Sequence, residues 1–198
     1  MGDPLTELGV ATGAAAASGL RLYGTVAALG LLHHFGVLAL PGSLAVLANP
    51  VIIAIACALY AAEFVADKVP AFDSVWDAVH TFIRIPAGAV LASGLLAGVQ
   101  EPWRTAAALL GGTVAFSAHG LKASARLAAN ASPEPFTNWI LSFAEDIFVV
   151  GLGFVALKYP AVAALVVLVS VLLMAMFATW IVRAVRRRWA RPPDVAAA

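Results

Sequence analysis

Long apolar stretches alternate along the chain with short breaks that are polar or carry proline, and the stretches have the length of membrane-crossing helices. About 20 mainly apolar residues are needed to span ~30 Å of hydrocarbon as a helix. The first such stretch covers roughly 5–35 and is rich in Ala and Gly, after which Pro41 and Gly42 open an external loop. The second starts at Asn49-Pro50, a capping residue followed by proline at the first helical position, and ends near Pro70. The third runs from about Ser74 to Val99, with a kink expected at Pro86. A fourth runs from about Arg104 to Ala128, a fifth from about Phe136 to Lys158, and a sixth, without any charge, over 161–182. Strand signals and low-complexity linkers are absent. The expected architecture is an all-α polytopic membrane protein: a single transmembrane domain over 1–198, with about six transmembrane helices and a basic tail at 183–198.

Polar positions inside these stretches gather on single faces. At helical spacing, Asp73, Asp77, His80 and Arg84 share one side of the third helix, whose other faces carry Val75, Trp76, Val79, Phe82 and Ile83. His119, Lys122, Arg126 and Asn130 make a stripe on the fourth, and Asn138, Ser142 and Glu145 one on the fifth, with Asp146 at its edge. Glu63 and Asp67 lie one turn apart at the inner end of the second. Arg21, Arg84, His119, Glu145 and Asp146 fall near the middle of their spans. Each such charge costs ~2.5–3.5 kcal/mol at the bilayer centre even on a lenient scale, so facing lipid would cost the set on the order of 10 kcal/mol. They must face one another or a hydrated cavity. Arg84 with Glu145, and Arg21 with Asp146, would make acceptable pairs, and bland neutralisation is the competing explanation for each residue. Replacing buried ion pairs by apolar residues is often neutral or stabilising, so stability alone explains the whole set poorly.

Composition agrees with the pattern and excludes other classes. Of 198 residues, 62% are hydrophobic and 12% charged, and mean hydropathy is +0.93. A soluble domain carries roughly a quarter charged residues, so a soluble enzyme, a nucleic-acid binder and a disordered chain are set aside. Cys57 is alone, which excludes a disulfide framework or a cysteine metal site. Five of the twelve basic residues are Arg183, Arg186, Arg187, Arg188 and Arg191, which makes the tail cytoplasmic by the positive-inside rule. Counting back through six spans puts Lys68, Lys122 and Arg126 near the inside, Arg104 and Lys158 outside, and the N-terminus inside. The N-terminus carries Asp3 and Glu7 rather than a basic signal-peptide region, and is read as retained. Asn130-Ala-Ser132 matches a glycosylation sequon, but it falls on the inner side and is discounted.

The two halves, about 1–100 and 101–182, echo each other. FVADKVPA at 64–71 matches FVALKYPA at 154–161 at six of eight positions, at the ends of the second and fifth spans. Ala17-Ser18-Gly19-Leu20-Arg21 is echoed by Ala118-His119-Gly120-Leu121-Lys122. Three spans per half would give an inverted-topology 3+3 repeat, which many secondary transporters share. Gly19 and Gly120 near mid-span mark places where helices could break and expose backbone groups, or pack closely.

EFVADKVPAFDSVWDAVHTFIRIPAGA at 63–89 resembles the signature region of an uncharacterised bacterial membrane-protein family, domain-of-unknown-function family 4126. ASGLRLY at 17–23 and NASPEPFTNWILSFAED at 130–146 resemble further parts of it. The chain departs from that pattern at Leu20-Arg21, where a more neutral pair is expected. The resemblance implies a bacterial inner-membrane protein and brings no activity with it.

A small secondary transporter or ion-coupled permease for a small solute or ion fits these features. Glu145, Asp146 and His119 would form its cation or proton site. Arg84 and Lys122 would tune that site or bind an anionic group. Asp73, Asp77 and His80, with Glu63 and Asp67, would line the inner access path, where Asp67, Asp73 and Arg126 are open to water. Carboxylates with His could also hold a divalent metal such as Mg, Mn or Zn; no other cofactor is called for. The alternatives are a channel, a non-transporting membrane subunit or scaffold, and an intramembrane lipid-modifying enzyme, for which no G-x-S-G, H-E-x-x-H or lipid-phosphatase motif is present. The expected partners are the bilayer and a small solute, with a homodimer through the apolar sixth helix and no nucleic acid.

Overall fold

Proline sets the helix starts. In the computed structural model, which describes residues 4–130 and 135–189, the order is α1 (Pro4–Leu20), α2 (Leu22–His34), a 3-10 turn (Gly42–Ala48), α3 (Pro50–Ala66), α4 (Pro70–Leu95), α5 (Glu101–Asn130), α6 (Pro135–Lys158) and α7 (Pro160–Trp189). Five of these α-helices begin with proline, whose fixed φ suits the first turn and whose missing N–H is not needed there. Asn49 caps α3 as expected: its side chain accepts from the Val51 N–H at 2.9 Å. Among the described residues every regular element is helical. Ala131, Ser132 and Pro133 of the sequon region, Asp3, and the tail beyond Trp189 with Arg191 lie outside them, as do the side chains of Arg186 and Arg188.

The first apolar stretch is two helices. The chain leaves helical geometry at Arg21 (φ −138°, ψ 77°), so α1 has 17 residues and α2 has 13. The break expected near Gly19 therefore falls two residues later. Its counterpart is absent, since α5 runs unbroken through His119-Gly120. The glycines serve close approach instead. A Cβ on Gly19 would run into the Ala115 backbone of α5, and one on Gly120 into the Met174 methyl of α7. α4 also continues through Pro86 as one helix.

α4 and α5 form the closest pair, because Gly88 and Gly111 face each other where the two backbones meet. α1 packs against α4, α5, α6 and α7. Its Ala11, Ala15 and Ala16 join Leu152 and Ala156 of α6 and Ala163 and Val167 of α7 in an apolar core. The outside of the bundle is also apolar, with Ile55, Phe82, Leu109, Ile140, Ile147, Leu168 and Met176 all exposed. A water-soluble monomer rarely shows such a continuous apolar surface.

Three helical segments are long and apolar enough to cross a membrane: Ala71–Leu95, Phe136–Lys158 and Pro160–Phe177. The 3-10 turn and α3 qualify together as a fourth, but they meet at 70°. These segments point to a membrane protein. The two matching octapeptides occupy equivalent joints: residues 64–71 close α3 and open α4 at Pro70, and residues 154–161 close α6 and open α7 at Pro160.

Candidate functional site: a buried ion network

The break after α1 carries Arg21 into the middle of the bundle, where it is fully buried. Its guanidinium pairs with Asp67, the C-cap of α3. Its Nε lies 2.8 Å from Asp146 and its Nη2 3.3 Å from Glu145, both on α6. Nη2 also donates to the carbonyl and the hydroxyl of Ser142, each at 2.9 Å. One guanidinium thus ties the broken helix to α3 and α6.

Three more cations come from α4 and α5. Arg126 grips both oxygens of Glu145, at 3.1 and 3.0 Å, in the forked geometry that makes Arg–carboxylate pairs strong. It also donates to the Asp67 carbonyl at 2.7 Å. Lys122 sits between Glu63 at 3.4 Å and Asp67 at 3.2 Å. Arg84 pairs with Glu63 and donates to the Gly19 and Leu20 carbonyls at 3.0 and 3.1 Å. A helix end leaves its last carbonyls without partners, and ending α1 here supplies two of them to Arg84.

Two histidines join the network, and one of them is held neutral by its neighbours. His119 accepts from Arg84 at Nδ1 (3.1 Å), so its proton is on Nε2, directed at the Asp77 carbonyl and the Thr81 hydroxyl. His80 donates from Nδ1 to the Trp76 carbonyl (2.7 Å), and its Nε2 shares a hydrogen bond with the Tyr23 hydroxyl (3.0 Å). The Trp76 and His80 rings stack, with centroids 4.3 Å apart.

The polar faces read from the sequence do turn inward. Asp73, Asp77, His80 and Arg84 are all buried, as are His119, Lys122, Arg126, Asn138, Ser142, Glu63 and Asp67. Arg21 pairs with Asp146 as expected. Arg84 does not pair with Glu145: its partner is Glu63, and Glu145 belongs to Arg126. The reason is the α1 break, which places Arg21 and the freed carbonyls between α3 and α4 and leaves Glu145 to α5. Asp67, Asp73 and Arg126, expected to be open to water, are buried. Among the described residues, no group of three or more His, Cys, Asp or Glu side chains is arranged to hold a metal ion, so the divalent-metal expectation has no ligand set.

Arg21, read from the sequence as a partner of Asp146 but not as a substrate-site residue, is a hub of the network. Two contributors escaped the sequence reading. Thr81 lies one turn after Asp77 on the same helical face, and that spacing could have revealed it. Tyr23 sits outside any stripe and carried no signal.

Two cavities reach the network from different faces of the bundle. One, of about 240 Å³, lies between α4 and α5 and is lined by Asp73, Ser74, Asp77, Thr81 and Arg126. The other, of about 590 Å³, is a groove bounded by α1, α2, α3 and α6. It is largely apolar, with Arg21, Tyr60 and Asp146 among its lining residues.

A family model described as "Domain of unknown function (DUF4126)" matches residues 8–180. The chain belongs to that family. No curated protein and no solved structure matches it. The match takes in the whole ion network of this DUF4126 protein, from Arg21 to Asp146. Chemically, the network can hold or exchange small charged groups at fixed positions.

Proposed function

We propose that this DUF4126 protein is a small secondary transporter or ion-coupled permease of the bacterial inner membrane, crossing it six times with both termini in the cytoplasm. The substrate site is the buried network, with Glu145, Asp146, His119, Arg84 and Lys122 as binding residues. Asp73, Asp77, His80, Glu63 and Asp67 form its approach. One observation carries the reading. The network lies between two cavities, and each is lined by part of it: Asp77 and Arg126 on one side, Arg21 and Asp146 on the other. A solute moving between such cavities would exchange partners within one set of charges.

An inverted 3+3 repeat is supported by the two equivalent Lys-Pro joints. It is also supported by the packing of α1 and α5, which contact each other and each contact both α4 and α7. A non-transporting scaffold draws support from a different observation, the dense pairing around Asp67, which is what a purely structural ion cluster would show.

Reconstitution decides between them. In proteoliposomes, wild-type protein should carry a charged solute down an imposed ion gradient, and Glu145→Gln and Asp146→Asn should each lower that coupled flux by about tenfold or more, equivalent to ~1.4 kcal/mol. Full coupled flux in both variants would move the site elsewhere. Absence of flux for every solute and gradient offered would favour the scaffold.

A further inference from the structure

Charge in the network is unevenly matched. Six carboxylates (Glu63, Asp67, Asp73, Asp77, Glu145 and Asp146) face four Arg and Lys cations (Arg21, Arg84, Lys122 and Arg126), and His119 is neutral by its hydrogen bond from Arg84. Lys68 stands at the edge. Its ammonium donates to the Phe64 carbonyl at 2.9 Å and lies 5.2 Å from the Trp139 ring centre, and counting it still leaves the carboxylates in excess.

The excess is localised. Asp67 and Glu145 are multiply paired, Glu63 holds Arg84, and Asp146 holds Arg21. Asp77 is 5% exposed, yet neither of its carboxylate oxygens has a hydrogen-bond partner among the described residues. Arg84 and Lys122 each stand 3.8 Å from its Oδ1, beyond hydrogen-bond reach. Asp73, one turn away, accepts from Asn130 at Oδ2 (3.1 Å) and has no partner at Oδ1. Asp73 lies in the first turn of α4, where the helix dipole favours an anion; Asp77 is past the reach of that effect. Both carboxylates line the same 240 Å³ cavity. A buried carboxylate without a hydrogen bond is costly even with cations 3.8 Å away, unless something ligates its oxygens directly.

We propose that the cavity between α4 and α5 binds a small monovalent cation, an alkali ion or a compact alkylammonium, on the Asp77 carboxylate, with Asp73 and the Thr81 hydroxyl beside it. Size supports the class. The cavity holds about eight water-sized groups, each taking ~30 Å³ of liquid volume, and falls below the roughly 300–1,000 Å³ of sites for larger organic ligands. The donor set supports it too, because two carboxylates with hydroxyls and no histidine or thiol do not make a transition-metal site. Arg126 also lines the cavity, but its guanidinium is spent on Glu145 and Asp67, so it limits the site to a single charge rather than filling it. The inference rests on the transport reading only for what the cation does next, namely coupling or being the cargo; binding itself stands apart.

The test is thermal unfolding of the purified protein in detergent at fixed pH, titrated separately with sodium, potassium and methylammonium chloride. N-methyl-D-glucamine chloride serves as the ionic-strength control. A ligand that binds only the folded state raises Tm saturably. Wild-type protein should show such a rise with at least one of the three ions. Asp77→Asn should weaken its apparent affinity by about tenfold or more, and Asp73→Asn by less. In N-methyl-D-glucamine alone, Asp77→Asn should melt above wild type, because amide for carboxylate removes a buried charge that no hydrogen bond stabilises.

A response no different from N-methyl-D-glucamine, an unchanged response in Asp77→Asn, or a lower Tm for that variant in the control salt would overturn the proposal. So would saturable stabilisation by magnesium chloride alone. If Asp77→Asn does not fold, its carboxylate is structural and the proposal fails; the Asp73→Asn titration then reports whether any cation site remains. Saturable binding without flux in proteoliposomes would defeat the transport reading and leave the site. Flux indifferent to all three ions, with no binding, would do the reverse.

Discussion

Asp67 and Asp77 are two buried aspartates of the same network with opposite expected behaviour. Asp67 ends α3 and receives Arg21, Lys122 and Arg126 at once. Truncating it leaves three cations short of a counter-charge, so Asp67→Ala should destabilise the protein by about 3–5 kcal/mol, read as chemical denaturation in detergent. A loss below 1 kcal/mol would mean that water or lipid headgroups reach the site. Arg84 provides a second check. Exchanging its charge with that of its true partner, in Arg84→Glu with Glu63→Arg, should not restore wild-type stability. A glutamate cannot donate to the Gly19 and Leu20 carbonyls or to His119. At this scale the sequence was informative about which residues turn inward, because helical spacing alone sorts them onto faces. It was uninformative about who pairs with whom: Arg84 and Glu145 both point inward, but pairing depends on where neighbouring helices stop.

Where helices stop is decided at the level of elements, and there the sequence was half legible. Pro50, Pro70 and Pro160 are punctuation that any reading finds. The break at Arg21 has no proline and sits in an Ala-rich run of good helix formers. It is held by partners on other elements, Asp67, Asp146 and Ser142, and long-range contacts of that kind leave no local trace. The echo at His119-Gly120 misled for the same reason, since the sequence is similar but the surroundings keep α5 intact. The α4–α5 crossing is the element contact most sensitive to bulk. Gly88→Leu or Gly111→Leu should force the helices apart and cost about 1–3 kcal/mol, with a matching fall in Tm. Asn49→Ala, which loses only an exposed cap, should cost about 1 kcal/mol or less.

For the whole molecule, the arrangement is a soluble protein's turned inside out: ionic within, apolar without. Trp139 and Trp180 are 47% and 65% exposed on that outer surface. In single-tryptophan proteins reconstituted in lipids brominated along the acyl chains, both should be strongly quenched. Trp76, stacked between Phe72 and His80 with its ring N–H buried, should be quenched less. Equal quenching of all three would mean that the polar face of α4 lies open to lipid. Composition foretold this inversion, since so few charges cannot clothe a water-facing surface. The break at Arg21 bears, finally, on how such a chain is made. Asp67 lies 46 residues downstream of Arg21 and Ser142 lies 121 downstream. On the six-span reading, the first segment to leave the ribosome carries a charge whose partners are not yet synthesised. Its settling into the bilayer must therefore wait for α3 and α6, so the segment made first is completed last.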